Sequence, residues 1–486
     1  MGRRIVALLC LVLLLGVAFA VGCGTDETGH GNGVAGDSDG SAGVGDSGDE
    51  GGADGDGDDS GNGSQGDGTG DGVGDGGTGD GDGVTGDGDG TGDGSNGDGD
   101  GGGNSVPGTN EVFTVPGGDV IAYSAQAVRG GDYVWLTYLG ITEYDDSTAE
   151  KIYLARFDIR GSMVGAPVLV GEDTPTRDVH PAIAANEETV YVAWLWEGPE
   201  GQQLRARTYD SGTGHALQSE PFLIDPALKD GTLVGTVWKP SLAIMQDGNA
   251  VVVAEGLTQI APRVVLQRFD RDGNLVLNGI FLNESETEGQ YDPAVTVLAD
   301  GTILYAYLRG DFGAGRVFQG VLAPDAIDPG PSPVPAQAAP SIGRSVHFSQ
   351  GQFGTNWMSY PIGADPGNNI GVRTAEVVGP ATLSTTSTSS RASIYSAVAD
   401  SPTGVALAWM SYLGAPSSGR IHVRGFSATG DTVGALNSVI DLHPTGEPAR
   451  WPYGPSIVWL EENRYLLFWQ ERPDNQMTIK ATVLEL

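Results

Sequence analysis

The feature that most constrains the fold is a unit of four short strand patterns, clearest at residues 180–225. It contains the patterns PAIAA, VYVAWLW, QLRARTYD and PFLID, with polar turns between them. A single sheet of four such strands has apolar residues on both faces and cannot bury them alone in water. The sequence solves this problem by repeating the unit.

The second strand of the unit recurs with Trp or another large residue at intervals of about 50–60 residues. Seven copies can be read: YVWLTYLG, VYVAWLWEG, AVVVAEG, TILYAYLRG, TNWMSYPIG, VALAWMSYLG and YLLFWQE. Trp135, Trp357 and Trp409 share the pattern W-[LM]-[ST]-Y. This spacing is typical of a β-propeller blade, so we predict an all-β, seven-bladed β-propeller over residues 106–486. We expect the repeated Trp residues to pack between blades, although a ligand platform is the alternative.

The last unit ends one strand short of a blade. The missing strand is present before the first unit, as EVFTV at 111–115. We predict that it pairs with residues 478–484, because this pairing closes the ring and removes two free sheet edges.

The first 22 residues predict an export signal, because Arg3 and Arg4 precede a short apolar run. The sequence Ala20-Val21-Gly22-Cys23 resembles the lipobox of bacterial lipoproteins, which implies cleavage before Cys23 and lipidation of its thiol. It departs from that family at Ala20, where Leu is preferred. Cleavage after Ala20, which would give a secreted soluble protein, is the alternative. Cys23 is the last cysteine, so we expect no disulfide.

Residues 23–105 consist mostly of Gly, Asp, Ser, Thr and Asn, and they carry much of the net charge of −38. Such a segment cannot bury enough apolar surface to fold, so we predict a disordered acidic linker that acts as a stalk. Calcium binding to its DGDGD strings is a minor alternative, because the pattern lacks the bidentate Glu of a calcium loop. We expect no other cofactor and no metal site, since the histidines are isolated.

The strand repeats loosely resemble those of sialidase-like propellers. The Asp-box Ser-x-Asp-x-Gly-x-Thr-Trp and the Arg-Ile-Pro signature of that family do not occur here; QDGNA, RDGNL and ADGTI contain only an Asp-Gly turn. These departures argue against sialidase activity. No residue is assigned a catalytic role, and the acidic balance argues against nucleic acid as a partner.

Loop length predicts a contact surface on one face. Loops that lead into first strands, or join second to third strands, are long, whereas the hairpins on the opposite face are minimal. Aromatic and charged residues precede the first strands: His180, Trp238, Lys239, Tyr291, Asp292, Tyr395, Trp451 and Tyr453. They could bind a sugar or a peptide. Alternatively, they seal the loops.

The sequence therefore favours a non-enzymatic function. We predict a monomeric, lipid-anchored propeller at the outer membrane or cell surface that binds a polysaccharide or protein partner through its long-loop face. A carbohydrate-active enzyme, a glycoside hydrolase or lyase with its active site in the same funnel, is the first alternative. An envelope scaffold similar to the propeller lipoprotein of outer-membrane assembly machinery is the second.

Overall fold

The structure of the chain is a computed structural model. It describes residues 107–115, 121–141, 150–171, 176–199, 201–224, 233–258, 261–282, 288–310, 315–328, 330, 332–336, 346–362, 369–374, 384–386, 392–412, 419–442, 454–471 and 477–486. The predicted signal segment, Cys23 and the acidic linker lie outside these residues, as do Trp451 and Tyr453.

The described strands form seven four-stranded antiparallel sheets. The first strands of the sheets are β2 Ile121–Gly130, β6 Arg177–Ala185, β10 Leu233–Ile244, β14 Gln290–Val297, β18 His347–Phe348, β22 Ala392–Ser401 and β26 Ser456–Glu461. The second strands are β3 Tyr133–Ile141, β7 Thr189–Gly198, β11 Ala250–Thr258, β15 Ile303–Arg309, β19 Trp357–Ile362, β23 Gly404–Tyr412 and β27 Arg464–Glu471.

The outer strands follow in the same order. The third strands are β4 Glu150–Asp158, β8 Gly201–Asp210, β12 Pro262–Phe269, β16 Arg316–Leu322, β20 Asn369–Thr374, β24 Gly419–Ser427 and β28 Thr478–Glu485. The fourth strands are β5 Val168–Leu169, β9 Phe222–Leu223, β13 Leu275–Phe281, β17 Val334–Pro335, β21 Ser384–Thr386, β25 Thr432–Leu442 and, from the beginning of the described chain, β1 Val112–Thr114.

The sheets are arranged in a ring. Each first strand contacts the first strand of the next sheet, and β26 of the last sheet contacts β2 of the first. The described residues contain no helix, and accordingly none that is long and apolar enough to cross a membrane. The predicted all-β propeller is confirmed.

Strand β1 joins the two ends of the propeller. Val112 lies opposite Thr482, and the amide of Val115 donates a hydrogen bond of 2.9 Å to the carbonyl of Ile479. Lys480 Nζ donates a 2.7 Å hydrogen bond to Thr114 Oγ1. The sheet of β26, β27 and β28 therefore takes its fourth strand from the other end of the domain, as the sequence predicts.

The repeated tryptophans pack between sheets. Trp135 of the first sheet and Trp194 of the second belong to one buried cluster, and Trp357 and Trp409 belong to another that joins the fifth and sixth sheets. Each of these four side chains is at most 2% exposed. The prediction that the repeated Trp residues pack between blades is confirmed. These four side chains do not line the central cavity.

Candidate functional site

Five first strands carry a bulge between the residue at which the strand begins and its middle. The pairing register with the second strand shifts between Tyr123 and Gln126, Val179 and Ala182, Trp238 and Ser241, Tyr291 and Ala294, and Ile394 and Ser396. A bulge adds a residue to one strand and redirects a side chain. In the second, third and fourth sheets a proline follows the extra residue, at Pro181, Pro240 and Pro293. Proline has no N–H to donate to the ladder, so it is tolerated at such an interruption.

The residue at each bulge has left-handed backbone geometry although none of the five is glycine. These residues, which we name the bulge ring, are Ser124 with φ 58°, His180 with φ 53°, Lys239 with φ 44°, Asp292 with φ 48° and Tyr395 with φ 48°. This conformation costs about 1–2 kcal/mol for a residue with a β-carbon. It recurs at one topological position with five different side chains, so the bulge is a repeated backbone feature that brings these side chains to equivalent places in the ring.

The bulge ring lines a central cavity of about 1500 Å³. All five members contribute to its wall. Gly454, which lies just before β26 of the seventh sheet, contributes as well. We define the mouth as the end of the cavity at which the first strands begin, and the floor as the end where hairpins join first to second strands. Five carboxylates and three basic side chains line it among the described residues: Glu150, Glu187, Glu197, Asp292 and Asp400, and Arg129, Arg177 and Lys239.

Two members of the bulge ring form an ion pair. Lys239 Nζ donates a hydrogen bond to Asp292 Oδ1 across the seam between the third and fourth sheets. The backbone amide of Asp292 in turn donates a 2.6 Å hydrogen bond to Glu255 Oε1. The Asp292 side chain is 12% exposed and the Lys239 side chain 34%, so the carboxylate is largely shielded from solvent while the ammonium group is partly open to it.

A second ionic group lies beside the first. Arg177 donates hydrogen bonds to Glu150 and, at 3.1 Å, to Glu197. Burial lowers the pKa of Arg177, but the two carboxylates outweigh this effect and raise it overall. One guanidinium therefore holds two carboxylates from different strands close together.

Two histidines line the same cavity. Burial, assisted by the positive charges of Lys239 and Arg177, lowers the pKa of His180 to about 4. Burial lowers the pKa of His347, at the start of the fifth sheet, to about 4. Both imidazoles are neutral at pH 7, and a neutral imidazole carries one donor and one acceptor nitrogen.

Four predicted site residues meet at this cavity: His180, Lys239, Asp292 and Tyr395. Tyr291 does not join them, because it packs against the apolar cluster between the fourth and fifth sheets. The backbone of Trp238 lies opposite Glu255 in the third sheet, but its side chain lies outside the described residues, as do Trp451 and Tyr453.

Several wall residues were not predicted from the sequence. Arg177, Glu150 and Glu197 come from three strands, and no local pattern links them. Ser124 stands at the equivalent position of the first sheet, but no proline follows it to mark the bulge. Within the described ranges, no group of three or more His, Cys, Asp or Glu residues could hold a metal ion.

Comparisons with known proteins concern the fold alone. No protein-family model matches the sequence, and no curated protein matches it significantly. Similar solved structures include a sialidase of Trypanosoma rangeli with the inhibitor DANA, at 10% identity and a TM-score of 0.44 over 74% of this chain and 54% of the sialidase. This chain thus spans about half the length of that sialidase.

Two further structures match a larger share of their own chains. A protein of unknown function from Dyadobacter fermentans is 12% identical, with a TM-score of 0.47 over 78% of this chain and 98% of that chain. The polysaccharide lyase Uly1 is 11% identical, with a TM-score of 0.45 over 77% of this chain and 92% of the lyase. Likenesses this distant carry no argument about a site or an activity.

Proposed function

We propose that the chain is an exported, lipid-anchored, monomeric seven-bladed propeller that binds a polysaccharide or protein ligand in its central cavity. The observation that carries this proposal is the bulge ring, where five strained residues line one cavity of about 1500 Å³. Strain repeated at equivalent positions persists when the side-chain placement is needed. The lipobox-like segment at Cys23 supports the anchor, and the acidic linker supports exposure away from the membrane.

The wall chemistry suits a ligand rich in hydroxyl or amide groups. The Lys239–Asp292 pair and the neutral His180 and His347 supply hydrogen-bond donors and acceptors, and Tyr395 adds a planar face. A polyanionic ligand would have to compete with Asp292 for Lys239, which is costly because it would take the ammonium group away from a largely buried carboxylate. A neutral polar ligand avoids that cost.

The test is binding of the purified full chain to an array of glycans, peptidoglycan fragments and peptides. We expect Tyr395→Ala and Lys239→Met each to weaken binding at least tenfold, because each removes a cavity-lining group. The control is Glu188→Ala, an exposed residue in the hairpin between β6 and β7. If both mouth variants bind as tightly as Glu188→Ala, the ligand does not bind in the cavity and the proposal fails.

A carbohydrate-active enzyme remains the second candidate, because Glu150 and Glu197 are held close together by Arg177. Glycoside hydrolysis uses two nearby carboxyl groups, one of which delivers a proton. Release of reducing sugar from the array's best ligand, lost in Glu197→Gln, would favour the enzyme over the binding protein.

A further inference from the structure

The hairpin between β18 and β19 is longer than the other described hairpins between first and second strands. It covers residues 349–356, whereas only residues 402 and 403 join β22 to β23. The sequence prediction that all hairpins on this face are minimal is wrong here. The signal was the segment SQGQFGTN, whose two glycines, Gly351 and Gly354, have φ of 66° and 79°.

We name this hairpin, residues 349–356, the strap. Its two ends are hydrogen-bonded to the fourth sheet. Asn356 is 1% exposed, and its Nδ2 donates hydrogen bonds of 2.6 Å to Thr296 Oγ1 and 3.2 Å to the carbonyl of Val297. Thr296 Oγ1 donates a further 3.1 Å bond to the carbonyl of Ser349. Both ends of the strap are therefore rigidly placed on β14.

The middle of the strap reaches the first sheet. The amide of Arg129 at the end of β2 donates a 3.0 Å hydrogen bond to Gln350 Oε1, and Gln352 Nε2 donates a 2.7 Å bond to the carbonyl of Arg129. In a ring of seven sheets, the fifth and the first are three places apart, which is the largest separation possible. The strap therefore extends from the fifth sheet to the first at the floor end of the cavity.

The strap residue Phe353 contacts the sixth and seventh sheets. The Phe353 ring packs edge-on against Trp459 with a centroid distance of 4.6 Å, and the Arg129 guanidinium lies over the same indole, also at 4.6 Å. The Phe353 amide donates a 3.3 Å hydrogen bond to Asp400 Oδ2. Asp400 is 6% exposed, and its backbone partners in the strap satisfy part of its hydrogen-bonding capacity.

The strap residues also belong to the cavity wall. Gln350, Gln352 and Phe353 line the same space as the bulge ring. We propose that the strap closes the floor, so that the cavity is a pocket with one entrance and binds the end of an uncharged glycan chain. This inference rests on the proposed function and narrows it to one class of ligand.

The charges of the wall favour a sugar end over a peptide end. A peptide terminus carries a full charge and needs an opposite charge in the pocket. At the mouth, Lys239 is already paired with Asp292, and Arg177 is paired with Glu150 and Glu197. The terminal unit of a neutral glycan needs only hydrogen-bond partners, which His347 and the side-chain atoms Gln350 Nε2 and Gln352 Oε1 can supply.

The first experiment tests the floor without a ligand. Hydrogen exchange of the full chain is measured at the amides of residues 351–353 and at the amide of the exposed turn residue Asp247. We expect at least tenfold slower exchange for the Phe353 amide, because it bonds to a buried carboxylate. Exchange at the same rate as the exposed turn would overturn the closed floor, whatever the protein binds.

The second experiment tests end binding. Neutral oligosaccharides are printed by one end, leaving the other free, beside cyclic oligosaccharides of the same sugars, which have no ends. We expect at least tenfold tighter binding to the free ends, and loss of this preference when residues 350–355 are replaced by Asp-Gly. Equal binding of linear and cyclic forms by the unaltered chain would refute the inference but leave the proposed function intact.

Binding only to charged peptides would likewise refute the glycan-end inference. If nothing on the array binds in a way that depends on Tyr395, the proposed function fails, and end binding fails with it. The exchange measurement still decides whether the floor is closed. Thr403→Ala is the matched control, since Thr403 is exposed in the hairpin between β22 and β23 and does not line the cavity.

Discussion

A β-carbon on Gly454 would lie 2.5 Å from the Cβ of Tyr395, closer than two such atoms approach in proteins. Tyr395 is the bulge-ring residue of the sixth sheet, and Gly454 lies just ahead of the first strand of the seventh. The missing side chain at Gly454, just before the seventh sheet, thus makes room for Tyr395 of the sixth sheet. A glycine is required here by close approach and not by its own φ.

We predict that Gly454→Ala lowers the free energy of unfolding by about 1–3 kcal/mol, because a methyl group must be forced into an occupied space. Tyr395→Gly should rescue most of this loss, since it removes the Cβ that is struck. Urea denaturation of the two single variants and the double variant measures the coupling. Additive losses would show that the two residues do not interact.

The matched control for this pair is Gly212→Ala. A β-carbon on Gly212 would meet only the carboxylate of Asp210, at an ordinary distance of 3.6 Å, and Gly212 does not have left-handed geometry. We expect its stability to change by less than about 0.5 kcal/mol. A large effect at Gly212 would mean that the loss in Gly454→Ala is a general response to replacing glycine.

Two buried tryptophans differ in their hydrogen bonding, which gives a second prediction. Trp194 Nε1 donates a 2.9 Å hydrogen bond to Asp178 Oδ1, and Asp178 is fully buried. Trp409 Nε1 is buried with no hydrogen-bond partner among the described residues. Trp194→Phe should therefore cost about 1–3 kcal/mol more than Trp409→Phe, because only the first leaves a buried carboxylate short of a donor.

Thermal or urea unfolding of the two Phe variants tests this difference. The corresponding Ala variants should both lose about 3–5 kcal/mol, since both create a large cavity. Equal losses for the two Phe variants would contradict the role assigned to the Asp178 hydrogen bond.

The sequence predicts the repeat more fully than the site. The Trp-bearing second strands and EVFTV are local patterns, so their packing and the closing strand could be read directly. His180, Lys239 and Asp292 could be found because a proline follows each at the bulge. The triad of Arg177 with Glu150 and Glu197 could not, because its members lie 27 and 20 residues apart on separate strands.

The error at Tyr291 has a related physical cause. Neighbouring positions at a bulge do not face the same side, so Asp292 lines the cavity while Tyr291 packs between sheets. The strap was missed because its contacts with Arg129 and Trp459 depend on where the ring places distant sheets. Sequence spacing carries no information on that distance.

The neutral histidines of the cavity predict a dependence of stability on pH. An unfolded chain protonates histidine near pH 6.5, whereas His180 and His347 have a pKa of about 4 in the folded protein. Between these values the unfolded state binds more protons, so the free energy of unfolding falls as the pH is lowered from 6.5 to 4. Each pKa unit corresponds to about 1.4 kcal/mol, so each histidine can account for up to about 3 kcal/mol.

Urea unfolding of the unaltered chain at several pH values between 4 and 7 gives the slope of the free energy of unfolding against pH. His180→Gln and His347→Gln should each flatten it, because glutamine does not titrate. His215→Gln is the control, since His215 is exposed and far from the cavity wall. A slope that is unchanged in both cavity variants would contradict neutral, buried imidazoles.

The closing strand gives the last prediction, which concerns how the ring resists opening. Deletion of residues 107–115 removes β1 and leaves the edge of β28 unpaired, with Ile479 and Val483 next to the gap. An unpaired apolar edge can pair with a second molecule. We therefore expect self-association on size-exclusion chromatography together with a lower unfolding midpoint. Deletion of residues 90–98, a segment of equal length in the acidic linker, should change neither.

Val115→Asp tests the closing strand by a single substitution. Val115 is 4% exposed and packs in the cluster between the first and last sheets. A buried, unpaired carboxylate there should detach the strand without shortening the chain. A monomer of normal stability in both the deletion and Val115→Asp would show that the ring is held by its other seams alone.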